Sequence, residues 1–320
     1  MDDRDRIADL RLEGRGEVDR SYGTSRRTGV RRIDEAGVGL SQPHLAHDSL
    51  HVLLLAVAVG VAVAFLLLPL LALFLRVPPG ELVAQLGSGA AVDAIVVSLK
   101  TSLLAHAVIL GVGTPVAWVL GTRSFPGRRF LVAAIELPLV LPPAVAGIAL
   151  LAAFGRRGLL GGTLAALGVT LPFTQAAVVV AIVFVASPFY LRQAIAAFAA
   201  LDQTLVDASR TLGAGPARTF RRVALPLSAG ALGAGSSLAF ARGLGEFGAT
   251  IIFAGSFRGE TQTAPLAIYA QLDLDFDTAI ALGALLVLVS VAVLAAVNLV
   301  PSWARSASVS PIPFAPSTSR

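Results

Sequence analysis

The fold class that the sequence predicts is an all-α membrane protein with six transmembrane helices, and three observations predict it. Residues of the hydrophobic set make up 55% of the 320 positions and charged residues only 14%, with a mean hydropathy of +0.78, far from the balance of a soluble domain. Six apolar runs are each near the length needed to cross a bilayer. Arginine is spread unevenly over the segments that join those runs.

Residues 1–48 mix nine arginines with acidic residues and show no apolar periodicity, which predicts a disordered cytoplasmic extension. The polar stretch and the apolar run behind it are both too long for a cleaved signal peptide. A transmembrane domain is expected over 49–303 and a cytoplasmic tail over 304–320. From Val52 to Leu75 there is no charge, and those residues as a helix measure about 36 Å against a hydrocarbon core of about 30 Å. Further spans are expected at about 101–121, 130–154, 173–191, 227–255 and 278–300. Helix breakers punctuate them: Pro115, then Pro138, Pro142 and Pro143, then Pro188, then Gly243, Gly245 and Gly248. Backbone groups freed by such residues are tolerated in a bilayer where neighbouring helices or a watery path satisfy them, so these helices line or gate something. Six spans put both termini on one side. That side holds 19 arginines, the opposite side four arginines and Lys100, and Arg242 lies within a span. The bias places both termini and the 192–226 segment in the cytoplasm.

Several chemistries are excluded. The chain has no cysteine, and Lys100 is its one lysine. Ile95-Val96-Val97-Ser98-Leu99, the residues immediately before Lys100, contain no glycine, so no phosphate-cradling Walker A loop is expected here, and any ATP hydrolysis that drives the protein belongs to another polypeptide. His44, His47 and His51 share a helical face but lack a ligand to complete a zinc site. Asp273, Asp275 and Asp277 open like a calcium loop without its glycine and closing glutamate. Gly235-Ser236-Ser237 with His106 is too common a triplet in packed spans to argue for a serine enzyme. No catalytic residue, cofactor or metal site is expected, and no aromatic-basic pattern points to nucleic acid.

In the 192–226 segment, Asp202 can cap a short helix, with Thr204 and Asp207 a rival box. Gly213 and Gly215 supply a left-handed stop, and Pro216 suits the first turn of the next helix. Two short helices at an angle are predicted, the second (Arg218, Arg221, Arg222) near anionic headgroups and the first free to meet a partner. The run Asp207-Ala208-Ser209, then Gly213, then Val223-Ala224-Leu225-Pro226 resembles the E-A-A-x3-G-x9-I-x-L-P signature of permease subunits of binding-protein-dependent ABC importers. Asp207 stands for the Glu, Ser209 for the second Ala and Val223 for the Ile. The resemblance implies that Asp202, Asp207, Ala208, Ser209, Gly213, Leu225 and Pro226 mark an ATPase-docking coupling helix between spans four and five.

A second resemblance joins it. Ala241-Arg242-Gly243-Leu244-Gly245-Glu246-Phe247-Gly248-Ala249-Thr250, Thr261-Gln262-Thr263-Ala264-Pro265-Leu266-Ala267-Ile268-Tyr269 and Leu137-Pro138-Leu139-Val140-Leu141-Pro142-Pro143 are similar to segments of molybdate/tungstate-type ABC importer permease subunits, relatives of sulfate permeases. Gly255-Ser256-Phe257 departs from the Gly-Asn common there. The resemblance spans residues 90–300 and implies a homodimeric permease in the cell membrane. It also implies cytoplasmic ABC ATPase subunits, an extracytoplasmic oxyanion-binding protein and an oxyanion cargo, molybdate before sulfate or tungstate. An arginine and a glutamate within a span are costly unless paired, and Arg242 and Glu246, four apart, can share a helical face. They are either part of a gate or anion path or a structural pair, and Thr250 extends the polar stripe. Glu136 is expected at the interface or beside Arg129. An ion-coupled secondary transporter using Glu136, Arg242 and Glu246 is the competing class, weakened by the lack of an internal repeat.

Overall fold

The computed structural model describes residues 45–76 and 78–306, and every regular element among them is helical. The expected extension over 1–48 lies outside the described residues up to 44, as does the tail beyond 306. Two compact units divide the chain, Met1–Ala58 and Val59–Arg320. The described part of the first is the start of helix α1 (Leu45–Arg76).

Within the second unit, α2 (Pro79–Leu86) leads into α3 (Gly89–Thr122). The Ser88 hydroxyl accepts from the Ala91 N–H and caps α3, the usual service of a serine before a helix. At about 51 Å, α3 is longer than a bilayer is thick. Lys100, expected in a loop, therefore lies on the helix, where its Nζ donates to Gln175 Oε1 at 2.8 Å. Helix α7 (Gln175–Ala199) is capped by Thr174. It packs between α3 and α10 (Leu225–Leu244). The packed faces are rich in alanine: Ala105 and Ala117 on α3, Ala177, Ala181, Ala186 and Ala194 on α7, and Ala239 on α10 are all buried. Small residues let backbones approach where lipid offers no hydrophobic contrast. Gly121 shows how close: a Cβ there would stand 2.7 Å from Phe198 Cβ and 2.9 Å from the Ile195 carbonyl oxygen.

The third expected span is two helices, not one. The chain bends by 119° between α4 (Arg128–Val140) and α5 (Pro143–Phe154). Leu141 is extended at φ −68°, ψ 131°, because the ring of Pro142 keeps its predecessor out of helical conformation. The fifth expected span also stops short. α10 ends at Leu244, and after a break α11 (Gly248–Phe253) begins. A turn, α6 (Gly161–Ala166), follows α5; α12 (Ala264–Gln271) follows α11; and α13 (Phe276–Ser306) closes the described chain. By length and composition four described helices can cross a membrane, five if the bent pair counts as one span. The apolar described stretch of α13, Phe276–Ala292, is shorter than a span.

The last revision concerns the segment after α7. α8 (Gln203–Thr211) is the first short helix expected, but the second is not separate. α9 (Pro216–Thr219), a π-helical turn (Phe220–Ala224) and α10 run on without interruption, making one helix from Pro216 to Leu244. Pro226 explains the π turn. Its missing N–H and its ring oppose an ordinary i→i−4 turn, and the wider turn ahead of it, with the Leu225 N–H on the Phe220 carbonyl, is a known way to absorb the insult.

Candidate functional site

α8 is held at both ends by local chemistry. Asp202 Oδ1 accepts from the Thr204 hydroxyl at 2.8 Å and from the Thr204 N–H at 2.9 Å, so Asp202 is the cap and the rival Thr204–Asp207 box is unused. Those bonds, the hydroxyl first and the N–H second, hold the Asp202 carboxyl below the ordinary aspartate value, as hydrogen bonds to a charged form do. At the other end the Gly213 N–H donates to the Arg210 carbonyl and the Ala214 N–H to the Ser209 carbonyl. This is a Schellman stop, and Gly213 sits at φ +81°, which a side chain would resist.

The two faces of α8 differ. Val206 is buried, and the Ser209 hydroxyl bridges to the buried Thr219 hydroxyl at 2.9 Å, stapling α8 to α9. Outward face Asp207, Ala208, Leu205 and Leu212, the last 87% exposed. Leu205, Ala208 and Leu212 stand at i, i+3 and i+7, one apolar stripe on the free side of a helix. Asp207 pairs with Arg210 at 3.2 Å in the open, a contact of small energetic weight. The spacing of the stripe is visible in the sequence, but spacing alone does not show which side of α8 the bundle leaves open. Leu225 and Pro226 lie apart from this face, at the π turn.

The second constellation joins two segments far apart in the chain. α11 packs on α5 so closely that a Cβ on Gly248 would overlap Pro143, and one on Gly147 would stand 2.7 Å from Ile252 Cβ. Arg242 and Glu246 meet as expected, Nη1 to Oε2 at 2.8 Å, but across the helix break rather than along one helix. The approach lacks hydrogen-bond alignment at Oε2; at this separation the attraction of opposite charges holds regardless of that angle. Glu246 Oε1 accepts from the Ala249 N–H at 2.8 Å, so this buried carboxylate also caps α11. Thr250 lies on α11 itself, fully buried, its hydroxyl without a hydrogen-bond partner. It therefore does not continue a stripe from α10. Ser98 Oγ on α3 accepts from the Ala264 N–H at 2.6 Å, anchoring the start of α12.

Other expected residues fall as follows. Glu136 faces Arg192, Nε to Oε1 at 3.7 Å, rather than Arg129. Ser236 and His106 do meet, Oγ to Nε2 at 2.8 Å, with the ring edge-on to Phe240; among the described residues the other ring nitrogen has no hydrogen-bond partner, so the contact is a polar tie between α3 and α10. Asp275 accepts from the Thr278 hydroxyl and N–H and caps α13. Among the described residues no cluster of metal-ligating side chains occurs.

Comparison with known proteins places this architecture. The chain is 43% identical over 238 residues to the molybdenum transport system permease protein ModB of Mycobacterium tuberculosis, covering 74% of this chain and 89% of that one. It is 42% identical over 181 residues to ModB of Escherichia coli K12 (56% and 79%). It is 36% identical over 213 residues to a probable sulfate transport system permease protein, cysT, of Chlorokybus atmophyticus (66% and 74%). In fold it is similar to a chain of a bacterial alginate ABC transporter solved with a periplasmic protein, at TM-score 0.64 and 16% identity over 83% of this chain and 98% of that one. The model of the binding-protein-dependent transport system inner membrane component family matches residues 113–306, and the chain belongs to that family.

Proposed function

We propose that this chain is the membrane subunit of an ATP-driven oxyanion importer, with molybdate as cargo. Two copies form the path, α8 docks each copy on a separate cytoplasmic ATPase, and an extracytoplasmic binding protein delivers the anion. The observation that supports docking most strongly is the exposed apolar stripe of α8, set on a helix that is capped, stopped and stapled to the foot of the 216–244 span. A short rigid helix loses little freedom on binding, so it transmits a push instead of absorbing it. Six spans follow from the apolar runs, with α13 as the sixth and the bent α4–α5 pair as the third, and the arginine bias puts both termini in the cytoplasm. The apolar side chains of α1 from Val59 to Leu71 are exposed, as suits lipid or a second copy. Molybdate is favoured by the ModB relatives, and sulfate is the second cargo because a sulfate permease is 36% identical. An ion relay is disfavoured, since Glu136 and Glu246 are both beside arginines.

We further propose that Arg242 and Glu246 lock the α10–α11 break at which the path opens and closes, and that Thr250, buried on α11 with its hydroxyl unbonded, belongs to the path and not to the lock. The test is uptake of labelled molybdate and sulfate into vesicles holding the full transporter. Gly213→Val, which forces a β-branched residue to φ +81°, is expected to leave the bundle folded while removing ATPase stimulation and uptake. Unchanged transport in that variant contradicts the docking role.

A further inference from the structure

The outward side of α9 and the π turn holds a cluster apart from both the α8 stripe and the Arg242–Glu246 break. Arg218, Arg221 and Arg222 line a cleft of about 390 Å³ together with Ala217. The turn cannot roll them inward. Thr219 and Ala224 are buried on its other side, and the Phe220 ring packs at 5.5 Å from Trp118 and 6.1 Å from Phe198. Elsewhere Arg192, Arg210, Arg242 and Arg258 each face a carboxylate. Arg218, Arg221 and Arg222 have no hydrogen bond or ion pair among the described residues. Three like charges within about one turn repel one another, a cost that a bound anion removes.

We propose that this cleft binds the phosphate of an anionic phospholipid headgroup. Depth argues for a lipid over a free anion. Leu227, exposed in the apolar part of the same helix, lies five residues past Arg222, about 7 Å at the helical rise. That matches the thickness of one headgroup layer. The guanidiniums therefore sit at phosphate level, where a planar fork takes two oxygens at once. The inference does not rest on docking by α8, because lipid retention is read directly.

The experiment is native mass spectrometry of the full-length chain, purified with its bound partners from nanodiscs of equal phosphatidylglycerol and phosphatidylcholine. The native protein is expected to retain phosphatidylglycerol preferentially. The triple variant Arg218→Gln, Arg221→Gln, Arg222→Gln should reduce that preference on the order of tenfold or more, given the attraction of each basic residue to an anionic surface. Arg156→Gln with Arg157→Gln should not change it. The corresponding triple Lys variant keeps the charge but not the fork and is expected to keep only part of the preference. Should the triple Gln variant misfold, the single variant Arg222→Gln, expected to lower the preference by a smaller factor, decides the matter, and an unchanged preference there overturns the proposal. Equal retention of the two lipids by the native protein overturns the proposal, as does release of phosphatidylglycerol by millimolar inorganic phosphate. Loss of a bound partner by the Gln variant in phosphatidylcholine alone also overturns it, since the surface is then a protein contact.

Discussion

Glu246 performs two tasks with one carboxylate, facing Arg242 with one oxygen and capping α11 with the other. Its side chain is 1% exposed and that of Arg242 30%, so Glu246→Ala leaves a largely desolvated cation alone, on the order of 3–5 kcal/mol of destabilisation. Thermal unfolding in detergent should show a lower midpoint, and Arg242→Met combined with Glu246→Leu should recover part of it. Full additivity of the two single changes contradicts a coupled pair. At Asp202 the sign of the pH effect follows from its lowered pKa. The folded carboxyl releases its proton more readily than the unfolded one, so its contribution is present above about pH 4, the unfolded value, and is lost as pH falls through the folded value. Hydrogen exchange over 203–211, corrected for intrinsic rates, should lose protection on such acidification in the native protein. Asp202→Asn keeps an acceptor without a titration and should not lose it. Local features of this kind were legible in the sequence, because a cap at Asp202, a stop at Gly213 and a start at Pro216 depend on residues within a few positions. The partner of Glu136 was not: Arg192 comes to it only through the packing of α4 on α7.

The helices α3, α7 and α10 meet through small residues, and glycine is required only where backbones touch. Gly121→Ala, which drives a methyl against Phe198 and the Ile195 carbonyl, should destabilise by about 1–3 kcal/mol as overpacking does. Gly111→Ala, with nothing within 4 Å, should be neutral or slightly stabilising through helix propensity. Equal effects at the two positions, read by unfolding in detergent, contradict the close crossing of α3 and α7. The sequence showed where elements break but not by how much. Pro142 and Pro143 announce an interruption, yet the 119° turn brings α5 to α11, a contact between distant residues such as Pro143 and Gly248. Likewise Pro216 announces a start, but the fusion of α9 with α10 depends on a π turn. The arginines that made α9 look like a separate surface helix occupy the outward side of a continuous one.

For the whole molecule, the proposed docking sets α8, whose free face offers Leu205, Ala208 and Leu212, between an apolar bundle and a separate motor. The family was readable because its signatures are local strings, whereas the apolar stripe that supports the proposed docking is a matter of which side of α8 is left open. The chain has no cysteine, so Leu212→Cys introduces a single thiol. Its labelling by a membrane-impermeant maleimide, in sealed vesicles of each orientation with and without the ATPase, tests the proposed docking most directly. The account predicts labelling from the cytoplasmic side alone and protection when the ATPase is bound; labelling from the outside, or labelling that the ATPase leaves unchanged, contradicts it.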